Sequence, residues 1–365
     1  MSSSYGGERK RKKRFSLASS GLLTALILAV VLGVLGIVWV AHLHGKLHKL
    51  STVEVPADNA VLPRPGGQDV IEVHRISPAS GVTPQFVGLT VMPGVGMGIL
   101  QLSLDLPGRD PQDLLVGTPI TSMGPMLQPN TGAPKASLKY SPISLKVFPL
   151  AGDSEGQEIL GTQPAQDARN DMTPGGAGAS GDFAAAPAPG PDGIAPPPSG
   201  IQTKVSATIS DRGYDLSITA KNVSGEAKPI VLSWTPQFAI PAKGLSSLHI
   251  TPPETAENAE KTTEISLDTP NFHRTWQGLK YSYLSSGPEL RLHNLAEAYT
   301  LRLMALTPSI RNFRVDVPQD GNTVSVTFST EGPNGAKTVI GPGETLQWHL
   351  RIQVAPNNSY SPTSN

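Results

Sequence analysis

Apolar and polar positions alternate along this chain in many short runs. Residues 204–210 are the clearest case: Val205, Ala207 and Ile209 fall on one side of an extended chain, and Ser206, Thr208 and Ser210 on the other. Successive side chains of a strand point to opposite faces, so this pattern predicts a strand with one buried face. Asp211, Arg212 and Gly213 follow as a turn, and residues 214–220 alternate again, which predicts a hairpin. Runs of the same kind lie at 86–91, 97–106, 231–234, 264–267, 299–304, 312–317, 323–328 and 345–354, with turn-forming Pro, Gly or Asn between them. No long helical period follows the first fifty or so residues, and no repeat of propeller length is present. The predicted fold is all-β, a large antiparallel β-sandwich.

The N-terminus breaks this pattern. No charge occurs from Phe15 to Ala41, and residues 21–41 are almost wholly apolar. That is about the 20 residues a helix needs to cross a hydrocarbon core. The run Arg9, Lys10, Arg11, Lys12, Lys13, Arg14 precedes it, and such charge holds its side of a span in the cytoplasm. The apolar run is too long for a signal peptide, so it predicts a retained anchor. Trp39 suits the outer interface, and Ala25, Ala29 and Gly33 lie four apart on one helical face, a spacing suited to a membrane-protein partner or a homodimer.

The expected organisation is therefore a basic cytoplasmic segment at 1–17, a single transmembrane helix at 18–42, a spacer at 43–68, a sandwich at 69–355 and a flexible tail at 356–365. This places the protein in a bacterial inner membrane with its C-terminal domain in the periplasm. Within the sandwich, residues 152–200 are rich in Pro, Gly and Ala, offer little apolar area, and are expected to be disordered, either as a linker or as a loop inserted in one domain.

Charge and composition narrow the chemistry. Eight Lys and Arg against one Glu lie in residues 1–50 of a chain with zero formal net charge, so the exported part is mildly acidic, which argues against a nucleic-acid partner. The chain has no cysteine, which excludes thiol nucleophiles and Cys-ligated zinc. Pro93, Gly94, Val95, Gly96, Met97 and Gly98 form a glycine-rich stretch without the Lys and Ser/Thr of a phosphate loop or the following helix of a dinucleotide site, so it reads as a turn. His42, His44 and His48 are poorly spaced for one metal, and no common hydrolase motif occurs. No cofactor and no metal are expected. Asn222 and Asn357 stand in glycosylation-type triplets, which matter only in a host that glycosylates.

The order of the segments resembles the aldose 1-epimerase (galactose mutarotase) family. Residues 91–117, with their glycine turn, a strand ending in Pro107 and the Asp113, Leu114, Leu115 segment, resemble the family's opening. Residues 213–238 resemble its central hairpin, residues 272–279 the segment ending in an aromatic and a Gly-Leu pair, and residues 323–330 with 340–350 its terminal pair of motifs. The resemblance implies a β-sandwich with a sugar groove, in which a carboxylate base and a histidine acid open and close the sugar ring. At the matching positions, Thr235 replaces the histidine, Thr327 the base glutamate, and His273 or Arg274 an aspartate. The early Asn-Arg pair has no counterpart near Asn130. Threonine does not exchange protons near neutral pH as those groups do. Glu331, four residues past Thr327, is a candidate substitute base. Trp234, Phe238 and Trp276 are candidate ligand-binding residues that stack on sugar rings, with Tyr281, Tyr283 and Trp348 as further aromatics. The expected function is a membrane-anchored carbohydrate-binding or envelope-scaffold module without catalysis; the alternatives are an active aldose 1-epimerase and a docking subunit of a membrane complex.

Overall fold

A computed structural model of the chain describes residues 64–75, 83–117, 139–150, 155–161, 163–173, 176–186, 198–210, 213–241, 243–256, 263–282 and 287–357, together with Leu32. The chain divides into two units, Met1–Ala60 and Val61–Asn365. The span expected at 18–42, with Ala25, Ala29 and Gly33, lies outside the described residues apart from Leu32, as does Tyr283. Among the described residues no helix is long and apolar enough to cross a membrane.

The second unit is built from strands. In chain order they are β1 (Ile71–His74), β2 (Gln85–Met92), β3 (Gly98–Asp105), β4 (Gln112–Asp113), β5 (Ile143–Val147), β6 (Gln157–Glu158), β7 (Arg169–Thr173), β8 (Gly176–Phe183), β9 (Ile201–Ser210) and β10 (Gly213–Asn222). There follow β11 (Lys228–Trp234), β12 (Gln237–Ala239), β13 (Leu248–Thr251), β14 (Ile265–Ser266), β15 (His273–Gln277), β16 (Glu289–Asn294), β17 (Tyr299–Ala305), β18 (Asn312–Asp316), β19 (Thr323–Ser329), β20 (Thr338–Ile340) and β21 (Thr345–Pro356). They form a nine-stranded sheet in the order β14-β13-β16-β17-β21-β10-β9-β8-β7, an eight-stranded sheet with the path β15-β18-β19-β11-β5-β6 plus β12 on β19 and β20 on β11, and a four-stranded sheet β1-β2-β3-β4. The pairings between named strands are antiparallel.

The predicted β9–β10 hairpin forms, with Tyr214 opposite Ile209 and Ile218 opposite Val205. Val205, Ala207, Ile209, Tyr214, Leu216 and Ile218 are fully buried. The two large sheets face one another through these residues. Tyr214 of the nine-stranded sheet lies 5.7 Å, ring to ring, from Trp234 of the eight-stranded sheet. Trp234 stacks on Phe328 at 6.1 Å, and Phe328 meets Phe313 edge-on at 5.0 Å. Aromatic pairs at these separations add to the burial of their area. All four belong to one apolar core, which also takes in Phe86, Leu89 and Leu102 of the smaller sheet.

The insert expected to be disordered at 152–200 is not so as a whole. Residues 169–173 and 176–183 form the β7–β8 hairpin, and β8 pairs with β9 from Gly176 opposite Ser210 to Phe183 opposite Thr203. Its small residues are what the position demands. A Cβ on Gly181 would lie 2.8 Å from Met97 Sδ and 2.9 Å from Ala165 Cβ, so only a bare backbone fits there. Ala177, Ala179 and Phe183 are buried, and β9 supplies the hydrogen-bond ladder. Low side-chain area therefore marks close approach here rather than absence of structure. The hairpin joins the sheet of the same unit, so this segment is no linker between domains.

Two boundaries also move. The end of the expected spacer packs with the sandwich: Gln68 donates to the Ala165 carbonyl at 2.6 Å, and Gly94 so closely meets Pro65 that a Cβ there would lie 1.8 Å from its carbonyl oxygen. Gly96, at φ 67°, presses equally on the Leu160 carbonyl and donates to Gln163 O at 2.9 Å. The glycine-rich stretch is thus a turn clamped between two backbone segments, as the missing phosphate-loop residues predict. At the other end β21 runs to Pro356.

Candidate functional site

The eight-stranded sheet separates its residues by parity. On its inner side Trp276, Phe313, Phe328, Trp234 and Ile143 stand opposite one another from β15 through β18, β19 and β11 to β5. All five are buried, with Trp276 the most exposed at 5 %. The neighbouring positions, turned to the outer face, are polar. One row runs His273, Asp316, Ser325, Gln237. The next runs Thr275, Arg314, Thr327. A third runs Gln277, Asn312, Ser329, Ser233, Ser144.

Thr235 enters the middle row from the two-residue break between β11 and β12, which pair with β19 in one continuous register that sets Thr235 opposite Thr327. The Thr235 amide donates to Pro142 O at 3.4 Å, and Val326 N donates to Pro236 O at 3.0 Å, which holds the break against β19. The result is a hydrogen bond between Thr235 Oγ1 and Thr327 Oγ1 at 3.1 Å. Thr327 is 8 % exposed, while Thr235 is half-buried.

His273 lies on the outermost strand of the path and is open to solvent. Its Nδ1 contacts Asp316 Oδ1, and Arg314 Nε donates to Asp316 Oδ2 at 2.8 Å. One carboxylate therefore joins an imidazole and a guanidinium on the outer face.

The fold belongs with a known architecture. No protein-family model and no curated protein matches the chain. Among solved structures, a protein from Synechocystis sp. PCC 6803 superposes with a TM-score of 0.52 at 11 % identity, covering 78 % of this chain and 99 % of that one. A galactose mutarotase-like protein from Lactobacillus casei ATCC 334 does so with a TM-score of 0.51 at 12 % identity, covering 78 % of this chain and 100 % of that one. The fold is galactose mutarotase-like.

On this mutarotase-like fold the two positions that the sequence resemblance matches to the acid and the base, Thr235 and Thr327, are in contact. The other two candidates are not with them. His273 lies two strands from Thr327, ~10 Å at ordinary strand spacing. Glu331 lies four residues beyond Thr327, roughly 13 Å along an extended chain. The structure ties Glu331 by its backbone, its amide to Ser329 Oγ at 3.0 Å and its carbonyl to Asn312 Nδ2 at 2.7 Å.

The aromatic candidates need correction. Trp234, Phe238 and Trp276 face inward and are at most 5 % exposed, so their ring faces pack in the core and are closed to a ligand. Trp348 is likewise fully buried, and Tyr281 packs against the core and donates its hydroxyl to Ile310 O at 2.6 Å. The reason is strand parity: Ser233 and Thr235 take the outer face, which leaves Trp234 the inner one.

Asp316 and Arg314 were not singled out by sequence. Their signal was the alternation of residues 312–317, which puts Asn312, Arg314 and Asp316 on one face. Their link to His273 depends on the β15–β18 register, which no local pattern encodes. Among the described residues no group of three or more His, Asp or Glu is arranged to hold a metal.

Proposed function

We propose that this protein is a carbohydrate-binding module on a mutarotase-like sandwich that does not interconvert sugar anomers, held at a bacterial inner membrane with the sandwich in the periplasm. The observation that carries the reading is the Thr235–Thr327 hydroxyl pair at 3.1 Å. Ring opening needs one group to take a proton and another to give one, at pKa values near the working pH. Two threonine hydroxyls supply hydrogen bonds to a sugar but neither role. The row His273, Asp316, Ser325 and Gln237 beside them favours binding, and the galactose mutarotase-like neighbour supports sugar as the ligand class. The basic run and apolar stretch at the N-terminus support the anchor and its orientation.

Polarimetry with freshly dissolved galactose and glucose tests the catalytic part. The expected result is the spontaneous rate of mutarotation. A faster rate that disappears in Thr327→Val would overturn it. Fractionation of cells, with protease added to spheroplasts, tests the location: the chain should pellet with inner membranes and lose its sandwich to protease from outside.

The second reading is an active aldose 1-epimerase with a displaced site. The His273–Asp316 contact favours it, since it offers an imidazole and a carboxylate on the outer face. That reading expects an accelerated rate abolished by His273→Ala.

A further inference from the structure

We infer that the open edge of β15 is a docking surface for a second copy of this chain, which pairs with it strand to strand. The inference is independent of the carbohydrate-binding reading above. Three features of that edge support it.

The first is an unused ladder. β15 ends the path of the eight-stranded sheet, and among the described residues no strand pairs with its other side. Val317 N donates to Phe272 O at 2.8 Å, in step with the register that sets His273 opposite Asp316. Hydrogen-bonded and non-hydrogen-bonded pairs alternate along an antiparallel ladder. Phe272, Arg274 and Trp276 therefore turn their backbone groups to β18, whereas those of His273, Thr275 and Gln277 point to the free edge. His273, Arg274, Thr275 and Gln277 are all exposed. A row of unpaired amides and carbonyls in the open is a template for another strand.

The second is self-complementarity. A two-fold axis through Thr275 lays β15 antiparallel to its copy and keeps the outer faces of the two sheets on one side. Thr275 then stands opposite the partner's Thr275, His273 opposite the partner's Gln277, and Arg274 opposite the partner's Trp276. The outward amides and carbonyls of both strands find each other, up to about six hydrogen bonds. No like charges stand directly opposite, an arrangement that would oppose pairing. The Arg274 guanidinium already lies 5.4 Å from the centre of its own Trp276 ring. The ring opposite it in the copy is of the same kind, so a cation–π contact can form across the pair as well.

The third is that the other strand edges do not suit. β4, β6 and β14 hold two residues each, and β12 and β20 three. β7 is as long as β15, but a two-fold pairing centred on it sets Asp171 against its own copy, carboxylate to carboxylate. β1 packs against β7 and β8. Pairing through β15 also makes one surface of two, because the row Thr275, Arg314, Thr327 continues across the axis into the same row of the copy.

The test uses the full chain in mild detergent. The chain has no cysteine, so Thr275→Cys gives a single thiol. Residues opposite one another in a hydrogen-bonded antiparallel pair have Cα atoms about 5.5 Å apart, within the span of a disulfide. Under mild oxidation Thr275→Cys should form a covalent dimer at least about tenfold faster than Asp171→Cys on the β7 edge. Light scattering over a concentration series measures the dimer without a crosslink. Thr275→Pro removes an amide that makes no bond within the chain, so its denaturation midpoint should stay near the parent's while the dimer's dissociation constant rises about tenfold or more. If that variant does not fold, Thr275→Lys replaces it: at this exposed position it sets two ammonium groups face to face, with the same expected loss. Equal crosslinking at the two edges, a parent that is monomeric at every concentration, or a folded variant that dimerises as tightly as the parent would overturn the inference.

Discussion

Thr235 and Thr327 stand 92 positions apart in the chain and share a hydrogen bond of 3.1 Å between their hydroxyls. The bond depends on two local devices, the unbroken register in which β11 and β12 run along β19 on either side of Thr235 and Pro236, and the alternation that turns Thr327 outward. Thr327→Val keeps the shape of the side chain and removes the bond. We expect a loss of about 1 kcal/mol in urea unfolding, with the mutarotation rate of sugar solutions unchanged. Stability equal to the parent would show that the pair contributes nothing to the fold.

Asn222 acts as a clamp where β10 ends. Its Nδ2 donates to Glu226 O at 2.7 Å and Ile340 O at 2.9 Å, and its Oδ1 accepts from Ser224 N and Oγ at 3.0 and 2.7 Å. The residue is fully buried. Asn222→Ala leaves these groups unpaired, and the expected cost is about 3 kcal/mol. Its burial also closes the Asn222 triplet to glycosylation in the folded protein. A denaturation midpoint like the parent's would refute the clamp.

Tyr214 presents the opposite case. Its ring packs on Trp234, yet its hydroxyl is buried and makes no hydrogen bond among the described residues. Burial pushes its pKa well up, with the Asp215 charge adding to the effect. Tyr214→Phe removes a polar atom that lacks a partner and keeps the ring. Stability should rise by about 1 kcal/mol. A loss of that size would mean that the hydroxyl has a partner after all.

The β8 strand gives a test of its own. Gly181→Val drives a side chain against Met97 and Ala165. A folded position should lose about 2 kcal/mol to overpacking. A segment outside the core would not respond in thermal unfolding.

The outer face of the nine-stranded sheet sets the response to acid. His293 Nε2 is bonded to Thr251 Oγ1 at 2.8 Å and Nδ1 to Thr300 Oγ1 at 2.9 Å. Burial lowers its pKa below the ordinary 6.5; the Glu264 charge opposes this, and those of Arg291 and His249 add to it. The unfolded chain therefore binds the proton first, so this contribution is complete above 6.5 and is lost as pH falls through the folded value. Asp215 and Glu289 act in the same direction at lower pH. Burial would raise both, but hydrogen bonds from His349 and Arg351 to Asp215, and from Arg302 and Arg291 to Glu289, with their charges, hold them below ordinary values of 3.8 and 4.5. Urea unfolding at stepped pH should show stability falling in two stages on acidification, and His293→Gln should remove the upper one. Stability that rises from about pH 7 to about pH 5 would contradict this sign.

What could be read from sequence followed the strength of alternation. Residues 204–220 revealed their strands, faces and turn because each buried position is apolar and each outer one polar. Short strands such as β5, β13 and β16 alternate as well, but over too few residues to stand out. β8 was read as disordered because Gly, Ala and Ser carry little apolar area, yet a neighbouring strand can lie close only against such residues. The candidate site was legible as positions and not as contacts. Thr235 and Thr327 were named from resemblance and do meet, whereas the aromatics drawn from the same comparison turn inward by a parity that Ser233 and Thr235 already carried. Asp316 awaited the register between two strands, which is fixed by the whole sheet.

The aromatic row from Trp276 to Trp234 has a consequence for how this surface can change. Packing is vested in one set of alternate positions and ligand contact in the other, so the same strands serve two masters without conflict. A new specificity can be written on the exposed set, residue by residue, while the interior that keeps the sheets together is left as it was.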